Sequence, residues 1–120
     1  MTASAAPILD AILIQLAAAL EKYDEDSERL VRTWLDMDLY RDVSDQMDAI
    51  RMYSSLLPDV QVHWLELLIA HSELVHWLWR RDPAQAGVLQ EERLADVRAR
   101  HVDSIAALRE RCLRTVSQRS

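Results

Sequence analysis

The sequence has very few of the residues that interrupt helices or shape tight turns. Its 120 residues include one glycine, three prolines and no phenylalanine. Two-residue hairpin turns depend on glycine and similar residues that adopt positive φ, so this composition argues against a protein of many short strands. Alanine, leucine, glutamate and arginine are frequent instead, and all four favour helices. The sequence therefore predicts an all-α protein.

Cysteine is also scarce, and long apolar runs are missing. A single cysteine, Cys112, excludes an intramolecular disulfide and a zinc site built from several cysteines. The longest apolar run, residues 8–20, contains Asp10 and Gln15 and falls short of the roughly 20 residues of a spanning helix. No basic residue precedes it, unlike in a secretory signal peptide. We therefore expect a protein of the reducing cytoplasm with no membrane partner.

Positive charge is limited, and lysine is almost missing. The net charge is −6, and Lys22 is the one basic residue that is not arginine, a ratio typical of a GC-rich bacterial genome. Non-specific affinity for nucleic acid grows with the number of phosphates neutralised, so an acidic chain binds it poorly. A regulator that contacts nucleic acid through the last helix is nonetheless the second of two alternative functions. Its candidate residues are Arg100, Arg109, Arg111, Arg114 and Arg119.

Hydrophobic periodicity divides the chain into four helices. Apolar residues that recur at intervals of three and four predict helices over residues 5–23, 26–57, 59–81 and 89–116. The acidic run at residues 24–27, Pro58 and the Asp82–Pro83 pair are the predicted boundaries. The apolar positions of the second helix change azimuth midway, which predicts a kink or break near residues 36–42. The sequence therefore predicts a single four-helix bundle domain over residues 1–120.

The third predicted helix has two apolar faces. We expect a broad stripe to face the core, comprising Trp64, Leu67, Leu68, His71, Leu74, Val75 and Leu78. A narrower stripe on nearly the opposite side comprises Val62, Leu65, Ile69 and His76. A helix at the rim of a bundle needs only one apolar face. The second stripe therefore predicts either the central helix of the fold or an interface.

Two tryptophans near the end of this helix also indicate an interface. Trp77 and Trp79 lie two positions apart, so their rings face roughly 160° apart and one is directed away from the core. That ring either covers its own helix end or anchors a partner, and tryptophan and arginine are enriched at interface anchors. The predicted partner surface comprises Leu65, Ile69, His76, Trp77, Trp79 and Arg80. The expected partner is a second copy of the chain or another protein.

Two histidines interrupt otherwise apolar stripes on the third and fourth helices. His71 lies in the broad stripe described above, and His101 lies in a stripe that runs from Leu94 to Thr115. If the two helices pack together, the imidazoles can meet each other or reach an acid such as Asp38. A buried neutral histidine whose nitrogens have partners is an ordinary core residue. The alternative hypothesis is a pH-responsive or ligand-binding pocket formed by His71, His101 and Asp38.

A metal- or small-ligand-binding bundle is the alternative function. Glu73 and His76 form a Glu-x-x-His pair, His63 and Glu66 form its reverse, and residues three apart share a helix face. A di-iron site needs a second Glu-x-x-His pair on another helix, and the sequence has none. In the competing interpretation, Glu66, Glu73 and Arg80 form a polar strip. We expect no cofactor, with a divalent metal at His63, Glu66, Glu73 and His76 as the alternative.

No motif in the sequence indicates catalysis. Serine nucleophile motifs, phosphate-binding loops and dinucleotide fingerprints are missing, and a chain with one glycine could hardly contain them. Cys112 lies on the apolar stripe of the fourth helix, which is typical of a small core residue. The sequence therefore predicts an adaptor, regulatory or structural protein that acts through association, most simply as a homodimer, with no catalysis evident.

Overall fold

The fold is an all-α four-helix bundle, as the sequence predicts. The computed structural model describes residues 2–33, 36–81 and 87–119, and within them the side chains from Pro7 to Gln118. These ranges form four α-helices, one turn of 3-10 helix and no strand. The helices are α1 (Thr2–Arg32), α2 (Met37–Ser55), α3 (Gln61–Arg80) and α4 (Val88–Arg119), with the 3-10 turn at Pro58–Val60.

The first helix is longer than predicted, because the acidic run at residues 24–27 continues α1 instead of ending it. Asp26 is buried, and its carboxylate lies 3.5 Å from the amine of Lys22 and 3.6 Å from the guanidinium of Arg29. Gln46 of α2 also donates a hydrogen bond to this carboxylate at 2.7 Å. These contacts compensate the acid inside the helix. The predicted boundary at residues 23–26 is therefore wrong.

The break predicted near residues 36–42 lies at the first residue of that range. Asp36 is the N-cap of α2, and its Oδ1 accepts hydrogen bonds from the backbone N–H groups of Asp38 and Leu39 at 3.0 and 3.1 Å. Such a cap satisfies N–H groups that the first helical turn leaves free. The change in the azimuth of the apolar residues therefore coincides with the start of α2. The neighbouring Trp34 and Leu35 lie outside the described residues.

The remaining boundaries lie close to their predicted positions. α2 ends at Ser55, and the side chain of Gln61 donates hydrogen bonds to the carbonyl oxygens of Ser54 and Leu57 across the junction with α3. α3 ends at Arg80, and α4 extends three residues beyond the predicted end at residue 116. Most of the predicted loop at residues 82–88 lies outside the described residues.

All four helices contribute to one hydrophobic core. α1 packs against α2 and α4, and α4 packs against α3. The apolar stripe predicted for the fourth helix is buried along its whole length: Leu94, Val97, His101, Ile105, Leu108, Cys112 and Thr115. No helix in the described ranges is both long enough and apolar enough to cross a lipid bilayer. Since α3 lies at the edge of this packing, its second face is free to point outward.

Candidate functional site

The inner face of α3 belongs to the core. Its buried residues are Trp64, Leu67, Ala70, Leu74 and Leu78. Of the other residues in the predicted core stripe, His71 and Val75 are half-buried. Leu68 is 37% exposed and is the one member of the stripe that the prediction misplaced. The broad face of this helix is therefore satisfied within the bundle, as predicted.

The outer face of α3 carries a regular row of exposed side chains. Its apolar members are Val62, Leu65, Ile69 and Trp79, which are 65%, 53%, 61% and 53% exposed. Ser72 and His76, also exposed, complete a row whose spacing alternates between three and four residues. This spacing is that of a coiled-coil seam. We call these six residues, Val62, Leu65, Ile69, Ser72, His76 and Trp79, the outer stripe.

The predicted partner surface is exposed except at one residue. Trp77 is half-buried and packs against the core, so Trp79 carries the ring directed outward. The Trp79 ring meets Tyr40 of α2 edge-on, with 5.7 Å between ring centroids. The exposed members are Leu65, Ile69, His76, Trp79 and Arg80. Val62, a member of the predicted second stripe, and Ser72 are also exposed on this face, although the predicted partner surface included neither.

Charged side chains follow one edge of the outer stripe. Glu66, Glu73 and Arg80 are seven residues apart and therefore lie along one side of the helix, as the polar-strip interpretation expected. Glu73 forms an ion pair with Arg100 of α4 at 3.3 Å. Among the described residues, the exposed side chains of Glu66 and Arg80 have no oppositely charged partner. The edge thus has an uncompensated acid near one end and an uncompensated base at the other.

A groove of about 400 Å³ lies between α3 and α4, beside the middle of the outer stripe. Its lining includes the small side chains of Ala70, Ser104 and Ala107, which leave the space open, and Ile69 of the outer stripe. Glu66 and Glu73 of the charged edge line it as well. The groove and the outer stripe therefore form one continuous surface.

The predicted meeting of His71 and His101 occurs, and Tyr23 of α1 lies between them. The Tyr23 hydroxyl oxygen is 2.6 Å from His71 Nδ1 and 2.6 Å from His101 Nε2. Because a hydroxyl has one hydrogen, it donates to one imidazole and accepts from the N–H of the other. Tyr23 and His101 are 0% and 2% exposed. We call Tyr23, His71 and His101 the buried triad.

The third member of the predicted pocket, Asp38, is not part of this arrangement. Asp38 is exposed in the first turn of α2, where its backbone N–H bonds to Asp36. Tyr23 takes the place that the sequence analysis assigned to an acid. Tyr23 has a polar tip on an otherwise apolar stretch of α1, but the sequence does not show which helices that tip reaches.

Burial keeps all three groups of the triad neutral near pH 7. Desolvation lowers the pKa of His71, and it lowers the pKa of His101 to about 3. The positive charge that His71 carries when it is protonated, and the charge of Arg98, lower the pKa of His101 further. Burial also raises the pKa of the Tyr23 hydroxyl above its ordinary value. The triad therefore joins α1, α3 and α4 through uncharged hydrogen bonds. A cavity of about 270 Å³ adjoins His101, and Asp24, Ser27, Glu28 and Arg98 contribute to its lining.

The four predicted metal ligands have separate surroundings. Glu73 pairs with Arg100, and the ring of His76 meets Trp77 edge-on with centroids 6.4 Å apart. His63 is half-buried, and its Nδ1 has no hydrogen-bond partner among the described residues. In the described part of the chain, no group of three or more His, Cys, Asp or Glu side chains is arranged to hold a metal ion.

Four arginines of α4 pair with acidic groups of the same bundle. Arg111 donates a hydrogen bond to the backbone carbonyl of Asp59 at 3.3 Å, and the side chain of Arg119 lies outside the described residues. Arg98 and Arg100 form ion pairs with Glu28 and Glu73 at 3.6 and 3.3 Å, and Arg109 pairs with Glu21. Arg114 pairs with Glu110 one turn earlier. These side chains are partly neutralised within the protein, which weakens the case for phosphate binding.

Cys112 is a core residue with an unreactive thiol. Its side chain is fully buried, and burial raises the pKa of the thiol to about 11. Since the thiolate is the nucleophilic form, this cysteine is unsuited to covalent chemistry.

Comparison with protein-family models, with characterised proteins and with solved structures gives no match. Function therefore has to be inferred from the geometry of the bundle itself. Of the features described, the outer stripe is the one that is both regular and accessible. Fold and site together define a helical bundle with one apolar helix face open to solvent.

Proposed function

We propose that this protein acts in the cytoplasm through protein–protein association, with the outer stripe of α3 as its interface and a second copy of the chain as its partner. The observation that carries the proposal is the exposed three-and-four row on a helix whose opposite face already fills the core. Single exposed apolar residues are ordinary on protein surfaces, whereas contiguous apolar patches mark interaction sites. An adaptor, regulatory or structural role follows from such a surface.

Several properties of the stripe support a second copy as the occupant. Alternating spacing of three and four residues is the pattern by which one helix packs along another, and an identical helix presents the same pattern. Homodimers with two-fold symmetry are the commonest assemblies of soluble proteins, because one patch then serves both subunits. α3 is 20 residues long, which corresponds to a contact of roughly 30 Å along the helix axis.

The proposal is tested by native mass spectrometry and light scattering of the parent and two matched variants. Ile69→Glu places a charge in the middle of the outer stripe, so we expect it to convert the dimer to a monomer with unchanged helical circular dichroism. Ile14→Glu makes the same replacement at an isoleucine of α1 that is also more than half exposed. We expect this control to remain dimeric.

Two outcomes would contradict the proposal. One is a parent protein that stays monomeric up to about 100 μM, far above the Kd of a specific dimer of ordinary strength. The other is an Ile69→Glu variant that assembles like the parent. The same spectra report retained metal. A monomer that carries a stoichiometric metal ion would favour the alternative function, a metal site at His63, Glu66, Glu73 and His76.

A further inference from the structure

We infer that the two copies of α3 pair in opposite directions, so that the dimer is antiparallel. This inference rests on the proposed function and adds the orientation of the partner. The outer stripe runs from Val62 to Trp79, and its midpoint lies between residues 70 and 71. A two-fold axis through that midpoint places the beginning of one stripe against the end of the other.

The antiparallel arrangement pairs unlike side chains in every layer of the interface. Val62 lies opposite the partner's Trp79, so that a small side chain meets a large one. Leu65 lies opposite the partner's His76, and Ile69 opposite the partner's Ser72. Each layer thus contains at least one apolar residue. Shape complementarity of this kind is what a closely packed helix interface requires.

A parallel arrangement would pair each residue with its own copy. Ser72 would meet Ser72 and His76 would meet His76, which gives two successive polar layers in the second half of the seam. The two copies of Trp79 would compete for the same space. The order of side chains along the stripe therefore favours the antiparallel arrangement.

The charged edge supplies an independent argument. In an antiparallel pair, each edge of the seam meets its own copy, so Glu66 and the partner's Arg80 lie on the same edge. They are five residues apart along the axis, roughly 7.5 Å, which two long side chains can span. These are the exposed charges that have no oppositely charged partner within the described part of the protomer. Charges that flank a helix seam set the choice and orientation of the partner.

The middle of the charged edge does not oppose this pairing. Along the axis Glu73 would lie roughly 3 Å from the partner's Glu66 and roughly 7.5 Å from the other copy of Glu73. Each Glu73 is already neutralised by Arg100 of its own chain at 3.3 Å. In a parallel pair the charged edge would instead face Gln61, Leu68 and Val75, which carry no charge. Only the antiparallel arrangement gives Glu66 and Arg80 the oppositely charged partners that they lack among the described residues.

Charge reversal tests the electrostatic part of the inference. We expect Glu66→Arg or Arg80→Glu alone to raise the Kd of the dimer by roughly tenfold, because each variant replaces two attractions by two repulsions. The double variant restores both pairs with reversed sign, so its Kd should return to within about threefold of the parent value. Glu25→Arg and Arg41→Glu make the same charge changes at exposed positions outside α3 and should leave the Kd unchanged.

Disulfide trapping tests the orientation directly. In the antiparallel dimer, Leu65→Cys chains mixed with His76→Cys chains should form a mixed disulfide, whereas neither variant alone should cross-link efficiently. Identical positions 65 would then lie about 16 Å apart along the axis, beyond the reach of a disulfide. Cys112 is fully buried and does not compete.

The two measurements separate failure of the orientation from failure of the proposed function. Cross-linking of each single variant with itself, together with single charge reversals that have no effect, would establish a parallel dimer and overturn the inference alone. A parent protein that is monomeric at all concentrations would overturn both. A mixed disulfide together with rescue by the double charge reversal is the expected result.

Discussion

The inner and outer faces of α3 have similar residues and different surroundings. Leu67 and Leu65 are two positions apart on one helix, yet Leu67 is fully buried and Leu65 is 53% exposed. The inner face is covered by the other helices of the bundle, whereas the only described contact of another helix with the outer face is that of Tyr40 of α2 with Trp79. The comparison shows that an apolar pattern identifies a face suited to burial without identifying what buries it.

The largest effect is expected on the inner face. Leu67→Ala should lower the free energy of unfolding by about 2–5 kcal/mol, because it removes buried methyl groups and leaves a cavity. Urea denaturation monitored by circular dichroism measures this loss. An effect below about 1 kcal/mol would mean that the inner face is packed far less tightly than the structure indicates.

Acid should destabilise the folded protein through the two buried histidines, His71 on the inner side of α3 and His101 of α4. Below pH 6.5 the unfolded chain protonates His71 and His101, whereas burial lowers the pKa of both in the folded protein, that of His101 to about 3. The unfolded state therefore binds more protons, and stability falls as the pH drops from about 6.5 towards 3. Each histidine contributes at most roughly 1.4 kcal/mol per pH unit.

Two variants, His101→Leu and His76→Leu, separate the contribution of the buried histidine to this pH dependence from that of an exposed one. Tyr23 and His71 face His101 from α1 and α3, Arg98 lies on its own helix, and Asp24 and Glu28 line the adjoining cavity. His101→Leu should flatten the dependence of melting temperature on pH between 7 and 5, where ordinary carboxylates titrate little. His76→Leu on the outer face should leave it as steep as in the parent. Equal slopes for all three proteins would contradict the assignment.

Removal of the hydroxyl that joins the inner face to α1 should have a moderate effect. Tyr23→Phe leaves the facing nitrogens of His71 and His101 without their partner, which should cost about 1–3 kcal/mol of stability. Thermal denaturation at pH 8 measures the loss while both imidazoles are neutral. A variant as stable as the parent would show that the two imidazoles find other partners.

The smallest effect on the protomer is expected on the outer face. Leu65→Ala should change the stability of the protomer by no more than about 0.5 kcal/mol, because its side chain is already more than half exposed. Stability should be measured at a protein concentration low enough to dissociate the proposed dimer. At higher concentration the same variant should assemble more weakly than the parent. A loss as large as that of Leu67→Ala would remove the distinction between the two faces.

The sequence predicts correctly which residues are buried where a helix has a single apolar stripe. Every member of the α4 stripe from Leu94 to Thr115 is buried, because a three-and-four pattern leaves a helix a single favourable orientation. The acidic run at residues 24–27 misled the prediction for the opposite reason. Its compensation by Lys22, Arg29 and the distant Gln46 depends on contacts that local patterning does not reveal.

The candidate sites show the same division. The meeting of His71 and His101 was predictable, since both interrupt apolar stripes on helices that were expected to pack together. Tyr23 was not, because its place between them depends on how α1 is rotated and shifted against α3 and α4. Asp38 was excluded by a local detail, the capping of α2 by Asp36.

By itself, the sequence determined that the chain is helical, that it forms a four-helix bundle and that α3 has two apolar faces, because composition and periodicity act within single segments. The tertiary structure decided which of those faces is covered, where α1 ends and which hydroxyl joins the two histidines. Those outcomes depend on the relative position of helices far apart in the chain. Only packing sets that position, since the free energy of burial depends on what lies opposite each side chain.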